Sequence, residues 1–138
     1  MTEDLIEASE KDVLALKKLW QECGLVRPWN EPERDIEYCL AQTHSTIFVK
    51  QVDGVIAGSV MCGHDGHRGW IYYLAVSPDQ QGHGLGNGLM TKAESWLADL
   101  GIWKVNLMIR SENARVEAFY SDLGYLTEDR IIMGKQLG

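Results

Sequence analysis

A cluster of glycines between an apolar segment and an amphipathic segment constrains the fold of this chain more than any other feature. Glycine occupies four alternate positions in residues 81–88, directly before apolar residues that recur at helical spacing. Each glycine costs a helix start about 1 kcal/mol relative to alanine, so local stability does not explain the cluster. Close approach of the backbone to a ligand does explain it, because unpaired N–H groups and the positive end of the helix dipole form an anion site.

The segments around the cluster predict one sheet with helices on both sides. The apolar run at residues 70–76 predicts a central strand that is covered on both faces and ends at Pro78. Further strands are predicted at residues 5–8, 46–52, 55–62, 103–110 and 131–137, and helices are predicted to begin near Ser9, Asn30, Leu85 and Asn113. The Asp53-Gly54 pair predicts a tight hairpin. The predicted order is β-α-α-β-β-β-α-β-α-β, an α/β (α+β) fold.

Composition and charge indicate a single ordinary domain over residues 1–138. The chain is 45% hydrophobic and 24% charged, which suffices for a core without disulfides or metals. Its net charge of −7 disfavours binding to nucleic acid or to an anionic bilayer. No apolar run approaches the ~20 residues of a membrane helix, and the acidic N-terminus lacks a secretory signal. We therefore expect a cytoplasmic protein that contacts neither nucleic acid nor membrane.

The cysteines and histidines do not predict a metal site. Three cysteines without a Cys-x-x-Cys pair are typical of reduced thiols in a core. Cys62, His64, Asp65 and His67 lie close together in sequence, but their spacing matches none of the usual zinc patterns. The prediction is that the chain holds no metal.

Two familiar phosphate-binding motifs do not fit the glycine cluster. A Rossmann Gly-x-Gly-x-x-Gly requires a third small residue, whereas the three possible frames place Asn87, Leu89 and Thr91 there. A Walker loop requires a Lys directly after a glycine, and none follows until Lys92. A flexible strand-to-helix turn without a ligand stays open as an alternative.

Two blocks of residues follow the pattern of a known family. The first is Gln81-Gly82-His83-Gly84-Leu85-Gly86, and the second is Asn113 followed by Phe119-Tyr120 and Gly124-Tyr125. Together they resemble the signatures of the GNAT superfamily, the acyl-CoA-dependent N-acetyltransferases. The resemblance extends over residues 5–137, and residues 27–32 and 65–69 are similar to the small bacterial YpeA-like branch. It implies a mixed, mostly antiparallel central sheet of six to seven strands with about four helices on both sides.

The resemblance implies a binding site for acetyl-CoA. The pantetheine arm would bind along the strand edge at Leu74, Ala75 and Val76, as an added strand does. An amide of this stretch would also stabilise the oxyanion of the reaction. The pyrophosphate would contact the loop and the helix start, namely Gln81, Gly82, His83, Gly84, Leu85, Gly86 and Asn87. His83 stands where many members have Lys or Arg, which makes this loop less positive than usual.

The resemblance also assigns Tyr120 the role of general acid toward the leaving thiolate and a cofactor contact to Asn113 and Tyr120. A phenol of pKa ~10 stays protonated at pH 7 and can give its proton to a departing thiolate. From the residues alone, Tyr120 could simply pack beside Phe119, and Asn113 could only cap its helix. Both alternatives stay open at this point.

The general base and the acceptor are less defined. Related ribosomal-protein alanine acetyltransferases have a Glu where this chain has Met108, which argues against that substrate. Weak candidates for the base are Asp65, His67, Glu112 and Tyr72, each of which could also be a solvated turn or strand residue. Weak candidates for the acceptor site are Arg27, Trp29, Asp65 and Tyr72.

The sequence therefore predicts an enzyme that transfers an acetyl group from acetyl-CoA directly to a primary amine. The acceptor could be a small molecule or a peptide, and the acidic chain favours a cationic one. A non-catalytic acyl-CoA-binding module of the same fold is the main alternative, and an α/β domain without CoA binding is another. A homodimer is possible.

Overall fold

The computed structural model describes residues 5–138, which divide into two compact units. One unit ends at Met108, and the other comprises Ile109–Gly138. The first unit contains, in chain order, β1 (Leu5–Glu7), α1 (Val13–Glu22), α2 (Pro32–Leu40), β2 (Ser45–Val52), β3 (Val55–His64), β4 (Gly69–Val76), α3 (Leu85–Asp99) and β5 (Val105–Leu107). Two short 3₁₀ turns, Glu10–Asp12 and Pro78–Gln80, precede α1 and α3. The second unit contains α4 (Ala114–Asp122).

The strands form one five-stranded sheet in the order β1-β2-β3-β4-β5. The first four strands are antiparallel neighbours, and β5 is parallel to β4. The predicted hairpin between β2 and β3 is confirmed: Asp53 and Gly54 have φ values of 54° and 76°, the left-handed conformations that a two-residue hairpin turn requires. The mixed α/β architecture is therefore confirmed, and its strands follow one another across the sheet in chain order.

Helices cover both faces of this sheet. The apolar stripe of α1 and the inner residues of α2 pack with inward-facing residues of β2 and β3 in one buried cluster, which includes Leu16, Trp20, Ile36, Ile47, Val49 and Ile56. Phe48, which alternates with Ile47 and Val49, is buried too, and its ring meets Trp96 of α3 edge-on at 6.3 Å. The alternation of β2 thus supplies one residue set to each helical layer.

A glycine in β3 lets α3 pack closely on the sheet. A Cβ atom at Gly58 would lie 3.0 Å from Cδ1 of Leu89 and 3.3 Å from the carbonyl oxygen of Ala75. Gly58 thereby fixes the height of the N-terminal half of α3 above β3 and β4.

The prediction of a strand at residues 131–137 is wrong. Ile131, Ile132 and Met133 are 88%, 63% and 90% exposed, and no strand forms there. An apolar run supplies strand propensity but not a hydrogen-bonding partner, and three consecutive apolar side chains cannot all lie on one face of a sheet. The sheet of the described residues therefore has five strands rather than six to seven.

Two predicted boundaries also change. The strand expected at residues 103–110 is limited to Val105–Leu107, because only these residues pair with β4. The N-cap position of the second helix is Glu31 rather than Asn30, since Pro32 takes the first helical position. Within residues 5–138, no helix is both long and apolar enough to cross a membrane.

We expect Gly58→Ala to lower the free energy of unfolding by about 1–3 kcal/mol, because overpacking forces the helix or the strand to shift. The melting temperature should fall by several degrees. Gly134→Ala is the matched control, since a Cβ atom there has no neighbour within 4 Å. Equal melting temperatures for the two variants would show that α3 moves at no cost.

Candidate active site

A bulge interrupts the pairing of β4 with β3. Met61 pairs with Tyr72 and Ser59 pairs with Ala75, so Tyr73 and Leu74 of β4 together lie opposite the one intervening residue of β3. Tyr73 has a φ of 51°, which costs a non-glycine residue roughly 1–2 kcal/mol. A bulge bends its strand and increases the local twist. Sequence analysis did not identify it, since an apolar run carries no signal of where a ladder is interrupted.

The pairing of β4 with β5 ends just before this bulge. The two strands pair only from Gly69 to Ile71. In the part of the chain that the structure describes, no strand pairs with Tyr72–Val76 on this edge. Alternate backbone N–H and C=O groups of that segment can therefore bind an extended ligand as a strand would. The predicted residues Leu74, Ala75 and Val76 all lie here.

After β4, the chain makes a turn in which two positions have a left-handed backbone conformation and are therefore occupied by glycine. Gly82 and Gly84 have φ values of 83° and 80°, and Gly84 is the N-cap of α3. Glycine has no side chain with which to cap a helix, and the first N–H groups of α3 have no acceptor within the helix. These N–H groups and the helix dipole make the start of α3 a site for an anionic group.

The turn borders a surface cavity of about 310 Å³. His83, Gly84 and Leu85 line one part of it, and Lys50 of β2 lines another. Sequence analysis missed Lys50, because nothing in the sequence indicates that β2 lies beside the glycine turn. Lys50 therefore contributes a basic side chain to the lining of this cavity.

Val76 is the last residue of β4, where the open edge ends and the turn begins. Its carbonyl oxygen accepts hydrogen bonds from the Cys23 thiol and from Nε2 of Gln81, both at 3.3 Å. The predicted loop residue Gln81 is thus tied to the end of β4. The Gln81 contact joins the strand end to the glycine turn, and the Cys23 contact joins it to the C-terminal end of α1.

Tyr120 is buried in α4 of the second unit. Its side chain is 7% exposed, and its ring packs edge-on against Phe119 at 5.1 Å and Tyr125 at 5.7 Å. Burial raises the pKa of Tyr120 to about 12, so the phenol is protonated at neutral pH. The predicted N-cap is also present, since Oδ1 of Asn113 accepts a hydrogen bond from the N–H of Val116 at 3.4 Å. Helix capping accounts for Asn113 without a ligand.

Asp65 has a structural role in the turn between β3 and β4. Its carboxylate accepts hydrogen bonds from the N–H groups of Arg68 at 2.8 Å and His67 at 2.9 Å, and from Nε1 of Trp70 at 3.2 Å. Hydrogen bonds from Arg68 and then Trp70 lower the pKa of Asp65 to about 2. A carboxylate stabilised in this way is a weak base.

The other weak candidates lie in different environments. Tyr72 is 42% exposed, and partial burial and the charge of Asp65 raise its pKa. Glu112 pairs with Arg110 at 3.0 Å in the second unit. Arg27 and Trp29 lie in the connection between α1 and α2, where Trp29 is 64% exposed. Their roles toward a substrate stay predictions.

The cysteines and histidines do not form a metal cluster in the described residues. No group of three or more metal-ligating side chains comes together within residues 5–138. The three thiols are free, and Cys39 and Cys62 are buried, as core residues are. Burial raises the pKa of the Cys62 thiol to about 12, so this thiol is protonated and poorly reactive.

Comparison with known proteins identifies the family. Residues 13–125 match the Acetyltransferase (GNAT) family. The chain belongs to this family. An acetyltransferase of Yersinia pestis (strain Pestoides F) is 47% identical over 119 residues, which cover 86% of this chain and 84% of the relative. An acetyltransferase of Pectobacterium atrosepticum is 45% identical over 128 residues, which cover 93% of this chain and 91% of the relative.

A solved structure shares the fold. The aminoglycoside N-acetyltransferase AAC(6')-Iy, bound to a bisubstrate analogue of CoA, superimposes with a TM-score of 0.83. It is 17% identical, and the match covers 98% of both chains. The expected GNAT fold and acyltransferase class are thus confirmed, whereas the YpeA-like branch stays a prediction.

The raised pKa of Tyr120 makes stability depend on pH in the alkaline range. An unfolded tyrosine ionises near pH ~10, whereas folded Tyr120 ionises near 12. Stability from this group is therefore fully present below pH ~10 and is lost as the pH rises toward 12. Urea denaturation should show that the free energy of unfolding falls less between pH 10 and 12 for Tyr120→Phe than for the wild type. Tyr38→Phe, at a side chain that is 72% exposed, should follow the wild type.

Proposed function

We propose that this GNAT chain transfers an acetyl group from acetyl-CoA directly to a primary amine. The observation that supports the proposal most is the continuity of two binding features in the first unit. The unpaired edge of β4 from Tyr72 to Val76 leads, through the turn at Gly82 and Gly84, to the start of α3. An extended arm that ends in a pyrophosphate is the ligand that suits a strand edge followed by a helix N-terminus.

The anionic end of acetyl-CoA would bind the turn and the first residues of α3. The N–H groups from Gln81 to Asn87 would donate hydrogen bonds, and the helix dipole would favour the negative charge. Lys50 and His83 line the adjacent cavity, and Lys50 would contribute positive charge there. The relatives' names and the CoA-bound structure of AAC(6')-Iy support the use of an acyl-CoA.

The backbone of β4 would act on the reacting carbonyl. Acetyl-CoA supplies a thioester whose carbonyl carbon is attacked by the amine. An N–H group of Leu74, Ala75 or Val76 would donate to the carbonyl oxygen as negative charge develops there. One such donor is typically worth ~3–4 kcal/mol of barrier.

Tyr120 would serve the leaving sulfur, the role that the family motif assigns. Its pKa of about 12 lies above the ~8.5 of an alkyl thiol, so proton transfer to a free thiolate is uphill. The phenol is therefore most effective as a hydrogen-bond donor while the C–S bond breaks and negative charge grows on sulfur. Its burial keeps the proton in place for that step.

The acceptor is proposed to be a cationic amine. The chain carries thirteen Lys and Arg against twenty Asp and Glu, and this excess of negative charge attracts positively charged molecules. AAC(6')-Iy, which has the same fold, acts on aminoglycosides, so small polyamines of this kind come first in a screen. Peptide N-termini and lysine side chains come second.

Cytoplasmic location and a homodimer stay predictions.

Acetyl-CoA should raise the melting temperature of the wild type. Ligand at a hundred times its dissociation constant adds ~2.7 kcal/mol of stability, which is several degrees for a domain of this size. Gly84→Asp should abolish the shift, because a side chain is strained at a φ of 80° and its charge repels phosphate. Gly134→Asp introduces the same charge at an open position and should keep the shift. Free adenosine diphosphate measures the contribution of the anionic end alone.

Wild-type enzyme with acetyl-CoA and an amine panel should release free CoA. We expect Tyr120→Phe to lower kcat by about 100-fold or more, because the negative charge growing on sulfur loses its hydrogen-bond donor. Tyr38→Phe, on the exposed face of α2, should leave kcat unchanged. Full activity of Tyr120→Phe would show that Tyr120 does not assist departure of the sulfur. Binding of acetyl-CoA without CoA release for any amine would favour a non-catalytic acyl-CoA-binding module.

A further inference from the structure

Tyr73 has a backbone conformation that its side chain rarely adopts. Within residues 5–138, only Asp53 and Tyr73 combine a side chain with a positive φ. Asp53 lies in a hairpin turn that requires this conformation, whereas Tyr73 lies inside a strand. A bulky residue persists there only when its surroundings hold it in place.

The bulge moves Tyr73 to the other face of the sheet. A Cβ atom at Gly69 would lie 2.8 Å from Cδ1 of Leu97, so Gly69 faces α3. By strand alternation Ile71 and then Tyr73 would follow on that face. The ring of Tyr73 instead stacks on Trp20 of α1, which covers the opposite face.

Contacts with three residues hold Tyr73 in this position. Its ring is parallel to that of Trp20, with a centroid separation of 3.8 Å and an interplanar angle of 4°. Its hydroxyl donates a hydrogen bond of 2.8 Å to Oδ2 of Asp35 on α2. Its carbonyl oxygen accepts from the hydroxyl of Ser59 at 3.3 Å. We call Trp20, Asp35, Ser59 and Tyr73 the bulge clamp.

The bulge clamp is built into the core. Trp20 and Ser59 are completely buried, and Nε1 of Trp20 donates to the Ser59 hydroxyl at 2.9 Å. Ser59 pairs with Ala75, so the clamp contacts the sheet on the far side of the bulge as well. It therefore fixes both the side chain and the peptide group of Tyr73.

We propose that the bulge clamp positions the N–H groups of Leu74, Ala75 and Val76 for acetyl transfer, and that Tyr73 and Asp35 are positioning residues of the reaction. The inference rests on the proposed function. The peptide group that Ser59 holds is the one that joins Tyr73 to Leu74, the first residue of the proposed binding segment.

The binding segment needs this support because it lacks a strand on one side. Within residues 5–138, β4 pairs with β5 only as far as Ile71, and no ladder among these residues fixes the outer edge of residues 72–76. If Tyr73 returned to an ordinary strand conformation, the peptide groups after it would rotate and the register with β3 would change by one residue. A displacement of about 1 Å of a catalytic donor can lower a rate by about 100-fold.

The test compares steady-state kinetics of the wild type, Tyr73→Phe, Asp35→Ala and the double variant. Each single variant removes the 2.8 Å hydrogen bond between α2 and β4 and keeps the stacked ring. We expect kcat to fall by about 10- to 100-fold, with the KM for acetyl-CoA changing less than about threefold. The double variant should be no worse than either single variant, because the two residues act through one bond. Asp35→Asn retains an accepting oxygen and should recover most of kcat.

Thr46→Val is the matched control for stability. Thr46 donates to Oε2 of Glu7 at 2.8 Å, a hydroxyl-to-carboxylate bond of equal length in the same sheet, two strands away from β4. The melting temperature of this variant should fall by about as much as that of Tyr73→Phe or Asp35→Ala, whereas its kcat should stay unchanged. If Tyr73→Phe and Asp35→Ala behave in the same way, with kcat unchanged, the clamp is only structural and the proposal is wrong.

Hydrogen exchange provides a readout that is independent of turnover. Amides of Leu74–Val76 should exchange faster in Tyr73→Phe than in the wild type and in Thr46→Val. Unchanged exchange in Tyr73→Phe would overturn the clamp even if kcat fell. A wild type that neither binds acetyl-CoA nor releases CoA would overturn the proposed function, whereas an active wild type with equally active clamp variants would overturn only the clamp.

Discussion

The conformation of Tyr73 is the constraint on which the first unit depends. One strained residue changes the register of β4 and bends the strand in the segment that follows its pairing with β5. The cost of roughly 1–2 kcal/mol is offset by a stacked aromatic pair and a hydrogen bond to a carboxylate, which are each worth a comparable amount. Trp20, 53 positions before Tyr73 in the chain by their residue numbers, therefore contributes to the shape of the candidate site without lining it.

In the proposed function, backbone N–H groups and side-chain charge would recognise different ligands. The chain is acidic overall, yet its candidate anion site is made mainly of uncharged N–H groups at the start of α3. Backbone donors are fixed in direction and lose little side-chain entropy on binding, so a loop with His83 in place of Lys or Arg still suits a pyrophosphate. The surrounding negative charge would then attract the proposed cationic acceptor.

Much of the fold was predictable because it follows from local signals. The Asp53-Gly54 hairpin, the glycine-started helix α3 and the Asn113 cap all rest on residue types with one dominant conformational use. The bulge at Tyr73 was not predictable, since it depends on Trp20 and Asp35, residues far apart in sequence. The strand expected at residues 131–137 was wrong for a related reason: Ile131, Ile132 and Met133 have the composition of a strand but no partner in the sheet. Of the candidate site, sequence indicated the loop and the strand edge but not Lys50, which tertiary packing brings to the cavity.

The open edge of β4 also bears on self-association. An unpaired strand edge is a template for a strand from another molecule, and long flat edges lead to aggregation. The edge at residues 72–76 is short, and the bulge at its start bends it out of register with the paired residues Gly69–Ile71. An incoming β-strand could therefore form only a few consecutive hydrogen bonds before its ladder was interrupted. The same irregularity that leaves room for a slender ligand thus protects the sheet from continuing into a neighbouring molecule.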